Sequence, residues 1–218
     1  YALTDDRWAV GAAVSNGGAV LDWAARTLCP EPEGRPATPE QALSVAAQAP
    51  PGSDGLLMLP YLLAERSPQV SPLARGAYAG LDWRHGRPHL VRAALEGVCH
   101  QLALVLDAVE AAGNEVREIR ATGGFLRSPF TRQLLADVFG RPIGFATSAE
   151  GSAFGAALLG MKALGLAEPT ELATGLVPVA EILTPDPEAV AAYRCQRAAL
   201  RQLSERLAPA ISPPHART

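Results

Sequence analysis

The chain has 218 residues, 48% hydrophobic and 19% charged, with a formal net charge of −3. That composition supports a sizeable core and excludes a chain disordered throughout. The lack of any basic block argues against a nucleic-acid partner, and no apolar run reaches the roughly eighteen residues of a membrane span.

The length suits one large domain, or one domain with an appendage. Cys29, Cys99 and Cys195 are odd in number and widely spaced. They make neither a disulfide framework nor a metal knuckle, and no metal site is predicted; a reduced, cytoplasmic compartment fits them. Tyr1 is not Met and no signal-peptide pattern follows, so the chain reads as a piece of something longer.

In chain order, 1–4 and 8–14 are predicted strands about a turn at Asp5-Asp6, with Val10, Ala12 and Val14 alternating with smaller residues. Ser15-Asn16-Gly17-Gly18 ends the second strand, and 19–28 reads as a helix with Gly18 and Asp22 one turn apart on one side. A loop over 31–38 leads to a helix that Thr38 caps, with Gln41 at the capping-box spacing, running to about Gln48. A turn cluster over 49–55 precedes an apolar run at 56–59, read as a buried strand. Residues 61–75 lack a period and read as an ordered irregular loop holding Glu65-Arg66. That pair is either a surface ion pair of little worth or a pair facing a cleft. A short strand at 76–81 and a turn at 82–86 follow.

The longest helix is predicted over 87–112, about 40 Å long, with Leu90, Val91, Ala94, Leu95, Val98, Leu102, Val105, Leu106 and Val109 recurring at three- and four-residue steps. Gly113-Asn114 stops it. His89 at its start is expected to cap or pack, Glu96 to hydrogen-bond in a buried site, and Cys99 to be a small core residue. His85 and His100 are read as turn and surface residues.

Residues 118–122 form a short strand broken by Gly123-Gly124; Ser128 is a good N-cap and Pro129 suits the first helical position. The helix runs through Leu134, Leu135 and Val138 to Gly140. Two glycines after a strand let a ligand lie against bare backbone, and the helix start behind them offers unpaired N–H groups and partial positive charge. This is a nucleotide-binding hypothesis, with a simple tight connection as its alternative. Another strand at 142–146, a helix of small residues ending near Gly165, a link over 168–178, an amphipathic helix over 186–207 and a tail over 211–218 complete the chain. Strands alternating with helices in the second half predict an α/β domain whose mixed, partly parallel sheet is flanked by helices.

Several segments resemble one family. Gly76-Ala77-Tyr78-Ala79-Gly80-Leu81, then His89-Leu90, then Ala93-Ala94-Leu95-Glu96 resemble the second signature of the FGGY carbohydrate kinases. Residues 59–66 (LPYLLAER) and Ala74-Arg75-Gly76-Ala77 resemble the stretch before it, most like gluconokinases and xylulokinases. Ala121-Thr122-Gly123-Gly124 with Ser128 resembles the family's adenosine motif, and Gly155-Ala156-Ala157 its closing small-residue helix. The likeness covers about residues 8 to 165 and is confined to the family's C-terminal domain. Many relatives have Trp-Asp-Pro where this chain has Val70-Ser71-Pro72.

The resemblance implies an actin-like ATPase (ribonuclease H-like) fold over 1–165 with a helical extension over 166–218 packed on it. It implies ATP and Mg²⁺ as cofactors and a sugar or sugar acid as substrate, gluconate favoured. The family's N-terminal domain is the expected partner, with a homodimer as a further one. Gly18, Asp22, Gly123, Gly124 and Ser128 take the nucleotide-binding positions, and Glu65 and Arg66 are candidates for the cleft. The general-base aspartate belongs to the family's N-terminal domain. No residue here matches it, so this chain alone is expected to be inactive.

Overall fold

The computed structural model describes residues 1–4, 7–30, 34–66, 75–146, 151–166 and 179–207. The expectations for Asp5-Asp6, Val70-Ser71-Pro72, the 168–178 link and the 211–218 tail lie outside them.

The architecture is built around one helix, α3 (Arg87–Ala111), about 37 Å long. Every residue from 91 to 101 is buried, so the helix is enclosed on all sides there rather than along a stripe. Around it pack α1 (Gly18–Leu28), α2 (Pro39–Ala46), the strand β3 (Leu57–Leu59) and α4 (Pro129–Phe139). The main core joins Leu21, Ala24, Leu43, Val91, Leu95, Leu134, Leu135, Ile143 and Tyr193.

Three small sheets accompany the helices. The strands β1 (Ala2–Thr4) and β2 (Arg7–Trp8) pair antiparallel. The strand predicted over 8–14 stops at Trp8: beyond Ala9, whose N–H bonds the Tyr1 carbonyl, no described strand pairs with it, and Val10 lies exposed. β3 pairs antiparallel with β4 (Ala77–Ala79), Met58 facing Tyr78, and the Tyr78 hydroxyl donates to the Leu90 carbonyl at 2.8 Å. The third sheet is mixed. β5 (Arg120–Ala121) runs parallel to β6 (Ile143–Ala146), which pairs antiparallel with β7 (Val179–Leu183).

The helix α5 (Gly151–Ala163) follows β6, with Leu158 buried. α6 (Pro187–Leu207) closes the described chain. β7 is an addition to the predicted elements; its alternating burial, Val179, Glu181 and Leu183 against exposed Ala180 and Ile182, carries the period-two signal of a strand. β7 shares a sheet with β6 across residue 165, and Tyr193 of α6 sits in the α3 core, so both sides of that boundary feed one core.

Candidate nucleotide-binding site

Three helix starts converge on one cavity of about 700 Å³. α1 supplies Gly18, Leu21 and Asp22, α2 supplies Pro39, Glu40 and Leu43, and the stretch entering α4 supplies Gly123, Gly124, Phe125, Arg127, Ser128 and Pro129. All five residues expected to meet a nucleotide, Gly18, Asp22, Gly123, Gly124 and Ser128, therefore line a single cavity. α1 lies between the other two walls, packing on α2 and on the turn 124–127.

Each wall has a local cause. Gly17 precedes α1 and gives it no side-chain cap, and the first turn carries no acidic residue. The Val20 N–H bonds the Gly17 carbonyl at 3.0 Å, while no side chain caps the N–H groups of Gly18 and Ala19, and the helix start keeps its partial positive charge. α2 is capped as the sequence predicts: the Gln41 N–H donates to Thr38 Oγ1 at 3.3 Å, and the Thr38 N–H to Gln41 Oε1 at 2.6 Å. At the third wall Gly123 has φ +125°, a conformation that favours glycine, and Gly124–Arg127 form one 3-10 turn. Thr131, fully buried, donates its hydroxyl to the Phe125 and Ser128 carbonyls and so holds the turn on α4. A Cβ added at Gly18 or Gly124 would meet nothing within 4 Å, so these glycines leave room on the cavity side.

Ser128 does cap α4, its Oγ accepting from the Phe130 N–H at 3.3 Å. The hydroxyl proton is still free to be donated, so capping and ligand contact use different parts of the group. Sequence reasoning missed Glu40, Leu43, Phe125 and Arg127. Glu40 stood in plain sight as the acidic residue in the first turn of α2, but only the tertiary fold turns that helix start toward Gly124.

Glu65 and Arg66 do not line this cavity and are not paired with each other. Glu65 is buried, and its carboxylate accepts from the Arg66 N–H at 2.9 Å, while the Arg66 Nε donates to Ser15 Oγ at 3.2 Å. The surface ion pair is thus ruled out, because the carboxylate turns inward to the backbone just before Gly17-Gly18.

The neighbouring core holds a second polar cluster. Glu96, buried, accepts from the Gly52 N–H (2.9 Å), the Ser53 hydroxyl (2.7 Å), Arg92 Nε (2.8 Å) and the Tyr193 hydroxyl (2.9 Å). Arg92 also reaches the Ala49 carbonyl and Tyr193. Both carboxylate oxygens are answered by donors, the expected hydrogen-bonding role of Glu96. His89 accepts from the Gly86 N–H at 3.2 Å and so caps α3, and Cys99 is fully buried. His100 corrects the sequence reading: it is 1% exposed, because α3 is enclosed where a one-sided stripe was expected. Among the described residues no three potential metal ligands cluster, and no helix is long and apolar enough to cross a membrane.

Comparison with known proteins gives a consistent picture. Residues 1–164 match the family described as "FGGY family of carbohydrate kinases, C-terminal domain". The chain is 39% identical over 201 residues to the gluconokinase of Bacillus subtilis (strain 168), covering 89% of this chain and 39% of that protein. It is 33% identical over 207 residues to the xylulose kinase of Escherichia coli (strain K12), covering 94% and 42%. The crystal structure of gluconate kinase from Lactobacillus acidophilus superposes with a TM-score of 0.80 at 34% identity, covering 89% of this chain and 39% of that one. The chain thus spans about two fifths of the length of the curated relatives it matches.

Proposed function

Because this chain belongs to the FGGY family of carbohydrate kinases and has its α/β, actin-like ATPase fold, we propose that it is the ATP-binding C-terminal domain of such a kinase. The whole enzyme transfers the γ-phosphoryl group of ATP to a hydroxyl of a sugar or sugar acid. Gluconate is the leading acceptor, from the higher identity to a gluconokinase; xylulose and glycerol are the alternatives within the same reaction. The observation that carries this reading is the convergence of Gly18, Asp22, Gly123, Gly124 and Ser128 on one cavity.

In this reading the glycine walls let the nucleotide lie against backbone, and the uncapped start of α1 donates N–H groups to anionic oxygens. Ser128 donates to the base. Asp22 and Glu40, the carboxylates among the lining residues, repel bare phosphate. Mg²⁺ fits this cavity as an ion carried by the nucleotide: Asp22 and Glu40 would hold it, and it would offset their repulsion of the phosphates. When bound, it neutralises charge on the phosphates. The general base that positions the acceptor hydroxyl comes from the enzyme's N-terminal domain, and closure of the two domains excludes water.

The test is calorimetry of ATP binding to the full-length protein and its Gly124→Val variant. The valine side chain would project into the cavity, so affinity should fall by about a hundredfold or more with the fold intact. Unchanged affinity in a folded variant removes the site assignment. A phosphorylation assay of the full-length protein with gluconate, xylulose and glycerol then ranks the acceptors. Turnover with none of them favours a domain that uses this fold for binding or dimerisation only.

A further inference from the structure

Loop 61–66 and the segment before α1 are far apart in sequence, yet one buried carboxylate joins them. Glu65, 3% exposed, accepts from the Ser15 N–H at 2.8 Å, from Asn16 Nδ2 at 2.8 Å and from the Asn16 N–H at 3.4 Å. Asn16, fully buried, answers in the other direction: its Oδ1 accepts from the Leu62 and Leu63 N–H groups at 3.1 and 2.8 Å. Its Nδ2 also donates to the Leu63 carbonyl at 3.0 Å. The buried amide of Gln101 on α3 lies beside the same Glu65 carboxylate.

The consequences for the cavity are direct. Ser15 and Asn16 are the two residues before Gly17-Gly18, and α1 starts uncapped. Of the first N–H groups of α1, Val20 bonds the Gly17 carbonyl at 3.0 Å, and no side chain on the helix ties its start to the rest of the fold. The hydrogen bonds of Glu65 and Asn16 fix that entry instead. A carboxylate suits this position because, when ionised, it only accepts, and it takes several N–H donors at once. These bonds hold the Glu65 carboxyl below the usual carboxylate range despite burial.

We propose that Glu65, with Asn16, is a positioning residue for the nucleotide cavity: the clamp sets the backbone that carries Gly18 and ties it to loop 61–66. This rests on the reading of the cavity as a nucleotide site. Arg66, whose Nε is held on Ser15 Oγ, makes the same junction from the exposed side. A shift of loop 61–66 would then be transmitted to the glycine turn through hydrogen bonds alone.

The experiment is a double-mutant cycle on the full-length protein, reading the calorimetric Kd for ATP of Glu65→Gln, Asn16→Ala and the double variant, with the thermal midpoint recorded for each. Glu65→Gln keeps the shape but turns a donor toward the Ser15 or Asn16 donors. Each single change should weaken ATP binding about tenfold, the cost expected of a small misplacement of a binding group. The double variant should be no weaker than the worse single, because both remove one device. Should Glu65→Gln not fold, Asn16→Ser, which keeps a smaller hydroxyl at the same place, carries the test with the same expectation. Lowered thermal midpoints with unchanged Kd overturn the proposal and leave a purely structural clamp. Independent, additive losses overturn the coupling. If the parent protein itself binds no ATP, the nucleotide reading fails and the clamp proposal falls with it, whereas ATP binding that is indifferent to all variants removes the clamp alone.

Discussion

At Gly97, in the middle of α3, an added Cβ would stand 2.3 Å from the Met58 carbonyl oxygen, whereas at Gly18 and Gly124 it would meet nothing within 4 Å. The same residue type is therefore needed for opposite reasons. At Gly97 glycine allows α3 and β3 to touch backbone to backbone; at the cavity it keeps a surface bare. The polar groups of the two regions differ in the same way. Around Glu96 each charge is buried and answered by partners, while α1 begins with N–H groups that no side chain caps. A filled polar network holds the scaffold, and an unfilled one at the end of a helix is where a ligand can add something. Changes in the first region should alter stability and spare binding; changes in the second should do the reverse.

The largest effect is expected at Glu96. Truncation by Glu96→Ala leaves Arg92 buried without its carboxylate, and should cost about 3–5 kcal/mol in urea unfolding. If the variant still folds, its ATP affinity should match the parent protein's. A large loss of affinity at unchanged stability would merge the two regions and break the contrast. Gly97→Ala comes next. The methyl group must push α3 away from Met58, an overpacking cost of about 1–3 kcal/mol, seen as a lowered thermal midpoint. A neutral result there would show that the α3–β3 contact is looser than 2.3 Å implies.

The parts of this contrast that were legible in the sequence are the local ones. Thr38 with Gln41, Ser128 with Pro129 and the stop at Gly140 act within a few residues, and the caps and helix bounds follow from them. The glycine turns were legible as candidates, because glycine pairs after strand-like runs have few uses. What was not legible depends on residues distant in sequence. Asn16 and Glu65 meet across 49 positions and Arg92 and Tyr193 across 101, and no spacing rule announces either pair. The 8–14 strand failed for a related reason: alternation permits a strand, but only a partner makes one. His100 was misplaced because a stripe of apolar residues reads the same on a half-buried helix as on an enclosed one.

Among the described residues His100 is one place where the filled core is incomplete, and its variant should show the smallest effect at neutral pH. Gln196 uses its Nε2 to donate to the Gly52 carbonyl, so its Oε1 is left to accept from His100 Nε2–H at 3.4 Å. That fixes the neutral tautomer and leaves His100 Nδ1 buried with no hydrogen-bond partner. Burial first, with the nearby Arg197 charge adding to it, brings the imidazole pKa down to about 4 against the Gln196 hydrogen bond. In the unfolded chain the group titrates near its ordinary value of about 6.5. Below that value the unfolded state binds the proton and the folded state does not, so stability falls with pH and the loss levels off only near 4, reaching on the order of 3 kcal/mol. Asp137, whose pKa burial raises, acts in the opposite direction over the acid range, so the informative quantity is the difference between the parent protein and His100→Phe. The phenylalanine variant should lose the decline between about pH 6.5 and 4, measured by urea unfolding at each pH, with little change at about pH 7. The same slope in both proteins would mean that His100 is charged in place, and that the core around α3 holds a partner for Nδ1 after all.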